Sequence, residues 1–257
     1  MKEIPYLLKF GQSEHMSRLK EGKLYFSTAP VLRRIETELR IKGQGDRLEG
    51  VSKVHASQLE AHDNFSKGIV MSEQGYDLLF RYEAADRMPV FCLFACSDDE
   101  CVSEENSIFR ATFSDQVKAK IKRDFPKADT VAIITNPQQF ISDVHISLGE
   151  ECKSGLVSYF FMEGIERPDG VLMDLQYVKY LTQDIAPKRV GNCTVYSFDE
   201  AYVYRALFCK DICFKDHQEY RFVIPSRKIE RPQEIEVSLN CQIELTDLQT
   251  FFGTSGK

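Results

Sequence analysis

Short apolar segments recur along the chain, and their lengths predict strands rather than long helices or membrane spans. The clearest of these segments are rich in leucine, aromatic or β-branched residues and cover residues 6–10, 24–28, 90–96, 130–135 and 219–224. Weaker strand predictions fall on residues 68–71, 76–82, 156–162, 171–181 and the alternating segment 235–239. The most apolar early run, 90–96, predicts a central strand.

Amphipathic segments between these runs predict short helices over residues 13–21, 30–40, 113–125, 137–148 and 198–209. Ser13 suits the N-cap of the first helix, and Asp199 suits the start of the last. The strands and helices do not alternate regularly, which favours an α+β fold over a doubly wound sheet. We therefore expect residues 1–257 to form a single α+β domain with a mixed, mostly antiparallel β core and peripheral helices.

Composition supports a folded protein of the cytoplasm. Hydrophobic residues make up 43% of the 257 residues and charged residues 28%, as is ordinary for globular proteins. The first residues do not resemble a signal peptide, and no apolar stretch is long enough to span a membrane. The eight cysteines lie mostly in apolar runs. We expect a cytoplasmic protein with free thiols and no membrane partner.

The net charge of −6 provides no overall attraction to nucleic acid, so nucleic-acid binding requires a local basic patch. Four basic residues on one predicted helix are candidates for such a patch, although a solvated helix has the same appearance: Lys118, Lys120, Lys122 and Arg123.

Several common catalytic signatures are absent from the sequence. There is no phosphate-binding glycine-lysine loop, no dinucleotide-binding glycine fingerprint, no paired-histidine zinc helix and no nucleophile elbow. The spacing of Cys92 and Cys96 on a predicted strand favours buried thiols over zinc ligands, because zinc knuckles usually have two residues between ligands.

Two other segments carry acidic residues that suggest chemistry. Asp46 and Glu49 lie between Gly45 and Gly50, where carboxylates either hold a metal ion or form an ordinary surface turn. With Glu36 they define an alternative function, a metal-dependent nuclease or hydrolase.

Glu219 and Arg221 begin a predicted strand and are two residues apart, so they project from one face of a sheet and can pair. A plain salt bridge at the start of a strand is the competing interpretation of this segment.

Several separated segments resemble known proteins. Residues 6–10, 24–28, 91–97 and 219–221 resemble an uncharacterised bacterial domain family with a lysine-aromatic first strand and a glutamate-(tyrosine or tryptophan)-arginine late strand. The same order of parts resembles the ADP-ribosyltransferase superfamily of bacterial toxins and antiphage effectors. This resemblance implies a split β core and NAD as the co-substrate.

The resemblance also assigns roles to individual residues. It implies that Glu219 is the catalytic carboxylate, which either orients the ribose 2′-hydroxyl and stabilises developing positive charge or deprotonates the acceptor, and it implies no metal. The implied NAD-binding residues are Lys9, Tyr25, Ser27, Thr28 and Arg33. Lys9 departs from the usual arginine or histidine and cannot make a planar bidentate contact.

The function that follows is NAD-dependent ADP-ribosyl transfer to nucleic acid or protein by a toxin or antiphage-defence effector. An antitoxin or another regulatory partner is part of that expectation. A non-enzymatic binding module, whose charged side chains form a solvated surface, is a further alternative.

Overall fold

The computed structural model describes the chain in nine stretches, and the account below concerns these residues: 4–41, 44–60, 69–96, 101–106, 108–149, 151–162, 174–191, 193–197 and 199–253. They form an α+β structure with a mostly antiparallel sheet, as the sequence predicts. None of the helices in these stretches has the length and apolar character needed to cross a bilayer.

The strands in chain order are β1 (Tyr6–Gly11), β2 (Lys23–Phe26), β3 (Val51–Glu60), β4 (Ile69–Arg81), β5 (Val90–Cys96), β6 (Val102–Glu105), β7 (Ile108–Ala111), β8 (Thr130–Ile134), β9 (Lys153–Leu156), β10 (Ser158–Phe160), β11 (Lys188–Val190), β12 (Cys193–Val195), β13 (Cys209–Asp211), β14 (Glu219–Val223), β15 (Gln233–Glu236) and β16 (Ile243–Asp247).

The α-helices are α1 (Ser13–Lys20), α2 (Ala29–Leu39), α3 (Glu83–Asp86), α4 (Asp115–Asp124), α5 (Pro137–Leu148), α6 (Leu175–Leu181) and α7 (Leu248–Phe252). Two 3₁₀ helices follow α6 and cover Glu200–Phe208 and Ile212–His217.

A six-stranded sheet forms the centre of the protein, in the order β16-β8-β1-β5-β14-β9. Its four inner strands, β8, β1, β5 and β14, are mostly buried on both faces. All five residues of β8 are buried, for example. The strand predictions at 6–10, 90–96, 130–135 and 219–224 are therefore confirmed.

Helices cover both faces of this sheet. On one face, Leu7, Leu93 and Phe222 pack in a cluster that also contains apolar side chains of α1 and α5. On the other face, Leu8 and Ile133 pack against side chains of α4 and α7. Because side chains alternate along a strand, the same strands supply both clusters.

Some local predictions were wrong. Residues 175–181, predicted as part of a strand, form α6, because Tyr177 and Leu181 are buried one helical turn apart and Asp174 caps the first turn. The predicted strand at 156–162 is divided between β9 and β10. By contrast, the strand predictions at 68–71 and 76–82 are confirmed over residues 69–71 and 76–81, which both lie in β4. Residue 68 and residues 171–173 of the predicted strands lie outside the described residues.

Helix and strand boundaries also differ at the ends of the chain. Helix α1 begins at Ser13, so its N-cap is Gln12, whose side chain makes no capping bond. The alternating segment at 235–239 overlaps β15 rather than forming the last strand, which is β16.

The loop between α2 and β3 packs directly on the backbone of α2. A Cβ atom on Gly45 would lie 2.4 Å from the Glu36 nitrogen and 2.7 Å from the Leu32 oxygen. The next residue, Asp46, donates its N–H to the Leu32 carbonyl. Only glycine at position 45 lets the loop pack this closely on the backbone of α2. The side chain of the next residue, Asp46, is buried.

We predict that Gly45→Ala destabilises the protein by about 1–3 kcal/mol, because backbone atoms cannot move aside as a flexible side chain would. Urea unfolding of the variant measures this loss. Gly155→Ala is the matched control, since a Cβ there meets nothing within 4 Å. Equal stability of the two variants would contradict the close packing of the loop.

Candidate active site

Arg221 is the largest fully buried side chain of the described residues, and it organises a group of charges within the fold. Its Nη1 and Nη2 atoms donate to Glu49 Oε1 and Oε2 at 2.5 and 2.9 Å, which forms a bidentate pair. Its Nε donates to Glu219 Oε2 at 2.8 Å, and Nη1 also donates to the Leu207 carbonyl. We call Asp46, Glu49, Lys210, Glu219 and Arg221 the buried charged cluster.

Strand β14 fixes the position of Glu219 and Arg221. Both side chains lie on one face of the strand, opposite Phe94 and Cys92 of β5. The Glu219 N–H donates to the Tyr159 hydroxyl at 2.9 Å, and the Glu219 carbonyl accepts from Val157. The predicted pairing of Glu219 with Arg221 is present, but it belongs to a buried network rather than to an exposed strand end.

Lys210 supplies the second positive charge on Glu219. Its Nζ donates to Glu219 Oε1, and the ammonium group also lies 4.7 Å from the centre of the Phe214 ring. Burial opposes ionisation of the Glu219 carboxyl, but the charges of Arg221 and Lys210 outweigh burial and hold its pKa well below the usual value. Glu219 is therefore an ionised carboxylate at neutral pH.

Asp46 differs from Glu219 in its environment. Its side chain is buried, and Oδ1 accepts the Leu48 N–H at 2.8 Å, whereas Oδ2 has no hydrogen-bond partner. Burial raises the pKa of Asp46 to about 7; Lys210 opposes this shift and Glu49 adds to it. The Gly45–Gly50 segment is thus a buried loop and not the surface turn that loop statistics favour.

His217 connects the buried charged cluster to helix α4. Its Nε2 is 2.9 Å from Asp124 Oδ2, and its Nδ1 is 4.0 Å from Glu219 Oε1. Both His217 and Asp124 are buried. The imidazole therefore lies between two carboxylates that come from different parts of the chain.

Lys9 lies on the neighbouring strand β1 but does not contact the buried charged cluster. Its Nζ donates to the Cys92 carbonyl at 2.6 Å and lies 5.0 Å from the centre of the Phe91 ring, and burial lowers its pKa. Because side chains alternate along a strand, Lys9 shares the face of the sheet that carries Leu7 and Phe91, whereas Glu219 lies on the other face.

The segment 25–28 does not join the cluster. Tyr25 is 57% exposed and pairs with Glu234 in a separate two-stranded sheet. Ser27 forms an isolated β-bridge with Val90. Val90 is four residues along β5 from Phe94, which pairs with Glu219, and four residues of strand span about 13 Å. Thr28 is buried at the N-cap of α2 and makes no capping bond.

Arg33 has a supporting role at this site. It donates to the Glu49 carbonyl at 2.7 Å and to Asp86 Oδ1 at 2.7 Å. The first contact holds the Gly45–Gly50 loop against α2, and the second joins α2 to α3. A guanidinium with these partners is not available for a phosphate.

Two other chemistries are not favoured by the geometry. Both Glu49 oxygens bind Arg221, Glu36 accepts the Arg47 N–H, and no group of three or more metal-binding side chains occurs among the described residues. Burial raises the pKa of the Cys92 thiol to about 11, so it remains protonated and is a poor nucleophile.

Sequence reasoning missed several members of this site. Lys210 and His217 were not predicted, although both lie just before Glu219. Lys210 precedes the short 3₁₀ helix Ile212–His217, and His217 is the last residue of that helix. The sequence carried one signal for Lys210: it is a basic residue that directly follows the apolar run at residues 206–209, which indicates a buried charge. Tyr159, which holds the Glu219 backbone, gave no comparable signal.

The chain was compared with protein-family models, curated proteins and solved structures, and nothing in any of these three sets matches it. The class of this site therefore has to be inferred from its geometry and chemistry.

We predict that Glu49→Gln lowers the free energy of unfolding by about 3–5 kcal/mol, because Arg221 keeps its charge in the interior after losing its bidentate partner. Urea unfolding measures the change. Glu234→Gln is the control, since Glu234 pairs with Arg18 at the surface and its loss should matter little. Similar losses in the two variants would show that Arg221 does not depend on Glu49.

Asp46→Asn should change how stability depends on pH. The folded-state pKa of Asp46 is raised from 3.8 to about 7, so its contribution to stability is complete below about pH 4 and is lost as pH rises through 7. The variant lacks this loss, so its stability relative to wild type should increase by roughly 4 kcal/mol between pH 4 and pH 8. Urea unfolding across this range tests the sign. A difference that does not vary with pH would mean that Asp46 titrates normally.

Proposed function

We propose that this chain is an NAD-dependent ADP-ribosyltransferase and that Glu219 is its catalytic carboxylate. The observation that carries the proposal is the state of Glu219, a carboxylate at the start of β14 that Arg221 and Lys210 hold in its ionised form. A carboxylate beside the ribose is the charge that such a site needs for its chemical step.

The state of Glu219 suits the reaction. Cleavage of the bond between nicotinamide and ribose passes through an oxocarbenium-like state, which an ionised carboxylate stabilises. The charges of Arg221 and Lys210 hold the pKa of Glu219 well below its usual value, so the carboxylate is ionised at neutral pH. Its side chain is 11% exposed, whereas those of Arg221 and Glu49 are 1% and 0% exposed. Glu219 is thus the more accessible carboxylate of the Arg221 network.

The proposed contacts with NAD differ from those implied by the sequence. Lys9 stays the proposed partner of a phosphate, a role that requires its Nζ to leave the Cys92 carbonyl and the Phe91 ring. Tyr25 faces solvent and Arg33 binds Asp86, so neither supports NAD binding in this arrangement. Ser27 lies toward the other end of β5 from Glu219 and Thr28 is buried, so neither supports contact with the nicotinamide ribose in this arrangement.

We propose nucleic acid or protein as the acceptor, in a toxin or antiphage effector that an antitoxin or other regulatory partner controls. The basic side chains of α4 contribute little to a nucleic-acid surface, because Lys118 donates to the Phe252 carbonyl and Lys120 pairs with Asp216. A nucleic-acid acceptor therefore needs another basic surface.

Glu219→Asp tests the catalytic role with the charge retained, so Arg221 and Lys210 keep a partner. Purified wild type should transfer label from adenylate-labelled NAD to total RNA, genomic DNA or bacterial lysate. The variant should be at least ~100-fold slower, because its shorter side chain moves the carboxylate away from the ribose. Circular dichroism at the assay temperature verifies that the variant is folded.

Glu234→Gln is the matched control and should keep the wild-type rate, since Glu234 pairs with Arg18 on a different sheet. Full activity of a folded Glu219→Asp variant would remove Glu219 from the mechanism. Absence of both transfer and nicotinamide release in the wild type would contradict the proposed function and favour a binding module.

A further inference from the structure

A group of exposed cations lies where the chain leaves β14. Residues 225–232 carry three basic residues and one acidic residue, in a protein whose net charge is −6. Arg87 lies beside this segment, because its carbonyl accepts the Ile229 N–H at 2.9 Å. All four basic residues are exposed, and we call them the basic surface: Arg87, Arg227, Lys228 and Arg231.

Backbone contacts hold the basic surface in place. The Arg227 N–H donates to the Ile224 carbonyl at 3.2 Å and closes a turn, and the Ile224 N–H donates to the Pro89 carbonyl at 3.2 Å. Ile229 is buried and anchors the segment to the core. The exposed residues of the segment are therefore all polar or charged: Ser226, Arg227, Lys228, Glu230 and Arg231.

The protein itself neutralises little of this charge. Arg87 Nη1 lies 3.3 Å from Glu230 Oε1, but both side chains are more than half exposed, so water screens the pair. Among the described residues, no ion pair involves Arg227, Lys228 or Arg231. Cations held together without carboxylate partners repel one another and attract an anionic molecule.

An exposed aromatic side chain lies near these cations. Tyr25 is 57% exposed on β2 and pairs with Glu234 of β15. Glu234 follows Arg231 by three residues, and three residues of chain span at most about 11 Å. Cations for the backbone and a ring for the bases are the two features with which proteins bind single-stranded nucleic acids. A lipid surface is a poorer match, because residues 225–232 expose no large apolar side chain to enter it.

We propose that the basic surface and Tyr25 bind a single-stranded nucleic acid, with phosphates on the four cations and one base on the Tyr25 ring. This binding does not depend on catalysis. Only the further step, that the bound strand carries the acceptor group, rests on the ADP-ribosyl transfer proposed above. Glu219 begins β14 and the basic surface follows its end, so the strand extends along the protein to reach Glu219.

The test measures binding of fluorescein-labelled single strands of about 15 nucleotides, both DNA and RNA, by fluorescence anisotropy between about 50 and 300 mM NaCl. The wild-type affinity should fall steeply with salt, because binding releases counterions from the phosphates. Arg227→Gln/Lys228→Gln should bind at least ~10-fold more weakly at the lowest salt, and its log-log salt slope should be smaller by about 1.4. Tyr25→Ala should weaken binding at least ~5-fold with an unchanged slope.

Lys188→Gln/Arg189→Gln is the matched control, because it removes the same charge from two adjacent exposed residues of β11. It should bind as wild type does. Equal weakening of the two double variants would show that only the net charge matters and would overturn the assigned surface. The assignment also fails if wild type binds no strand at low salt, or if it prefers phosphatidylserine vesicles to both strands.

Nicotinamide release from NAD separates this inference from the proposed function. If wild type binds the strands through the basic surface but releases no nicotinamide, the transferase fails and the binding surface stands. If wild type transfers label from NAD but Arg227→Gln/Lys228→Gln binds the strands as wild type does, the surface fails and the transferase stands.

Discussion

A bidentate ion pair between Arg221 and Glu49, buried at the centre of the molecule, is the interaction on which the rest of the site depends. The two residues are 172 positions apart, and the pair closes only when β14 and the loop before β3 pack together. Removing charges from water costs several kcal/mol per ion, so such a pair adds little net stability compared with apolar residues. Its effect is to specify one arrangement, because any other leaves a charge unpaired.

That arrangement gives two carboxyl groups different environments. Glu219 accepts hydrogen bonds from Arg221 and Lys210 and is ionised. Asp46 accepts one backbone N–H through Oδ1, and burial raises its pKa. Asp46 lies in the loop whose Gly45 packs on the backbone of α2, whereas Glu219 is held by ion pairs.

The sequence predicted the parts of the fold that depend on local pattern. The inner strands β1, β5, β8 and β14 were predicted from short runs rich in aromatic and β-branched or aliphatic residues, which are typical of covered strands. Residues 175–181 were assigned wrongly, because an apolar run of that length fits a strand or a short buried helix equally well. At the site, the spacing of Glu219 and Arg221 predicted their shared face. The contacts of Lys210, His217 and Asp46 were not predictable, since they depend on how distant loops fold over the sheet.

The central claim is that NAD binds with its nicotinamide ribose beside Glu219. The most direct measurement is a crystal structure of the full chain with carba-NAD, a non-cleavable analogue. Our account predicts the nicotinamide end within hydrogen-bonding distance of the Glu219 carboxylate, with Lys9 toward the phosphates. An analogue that does not bind, or that binds away from β5 and β14, would contradict it.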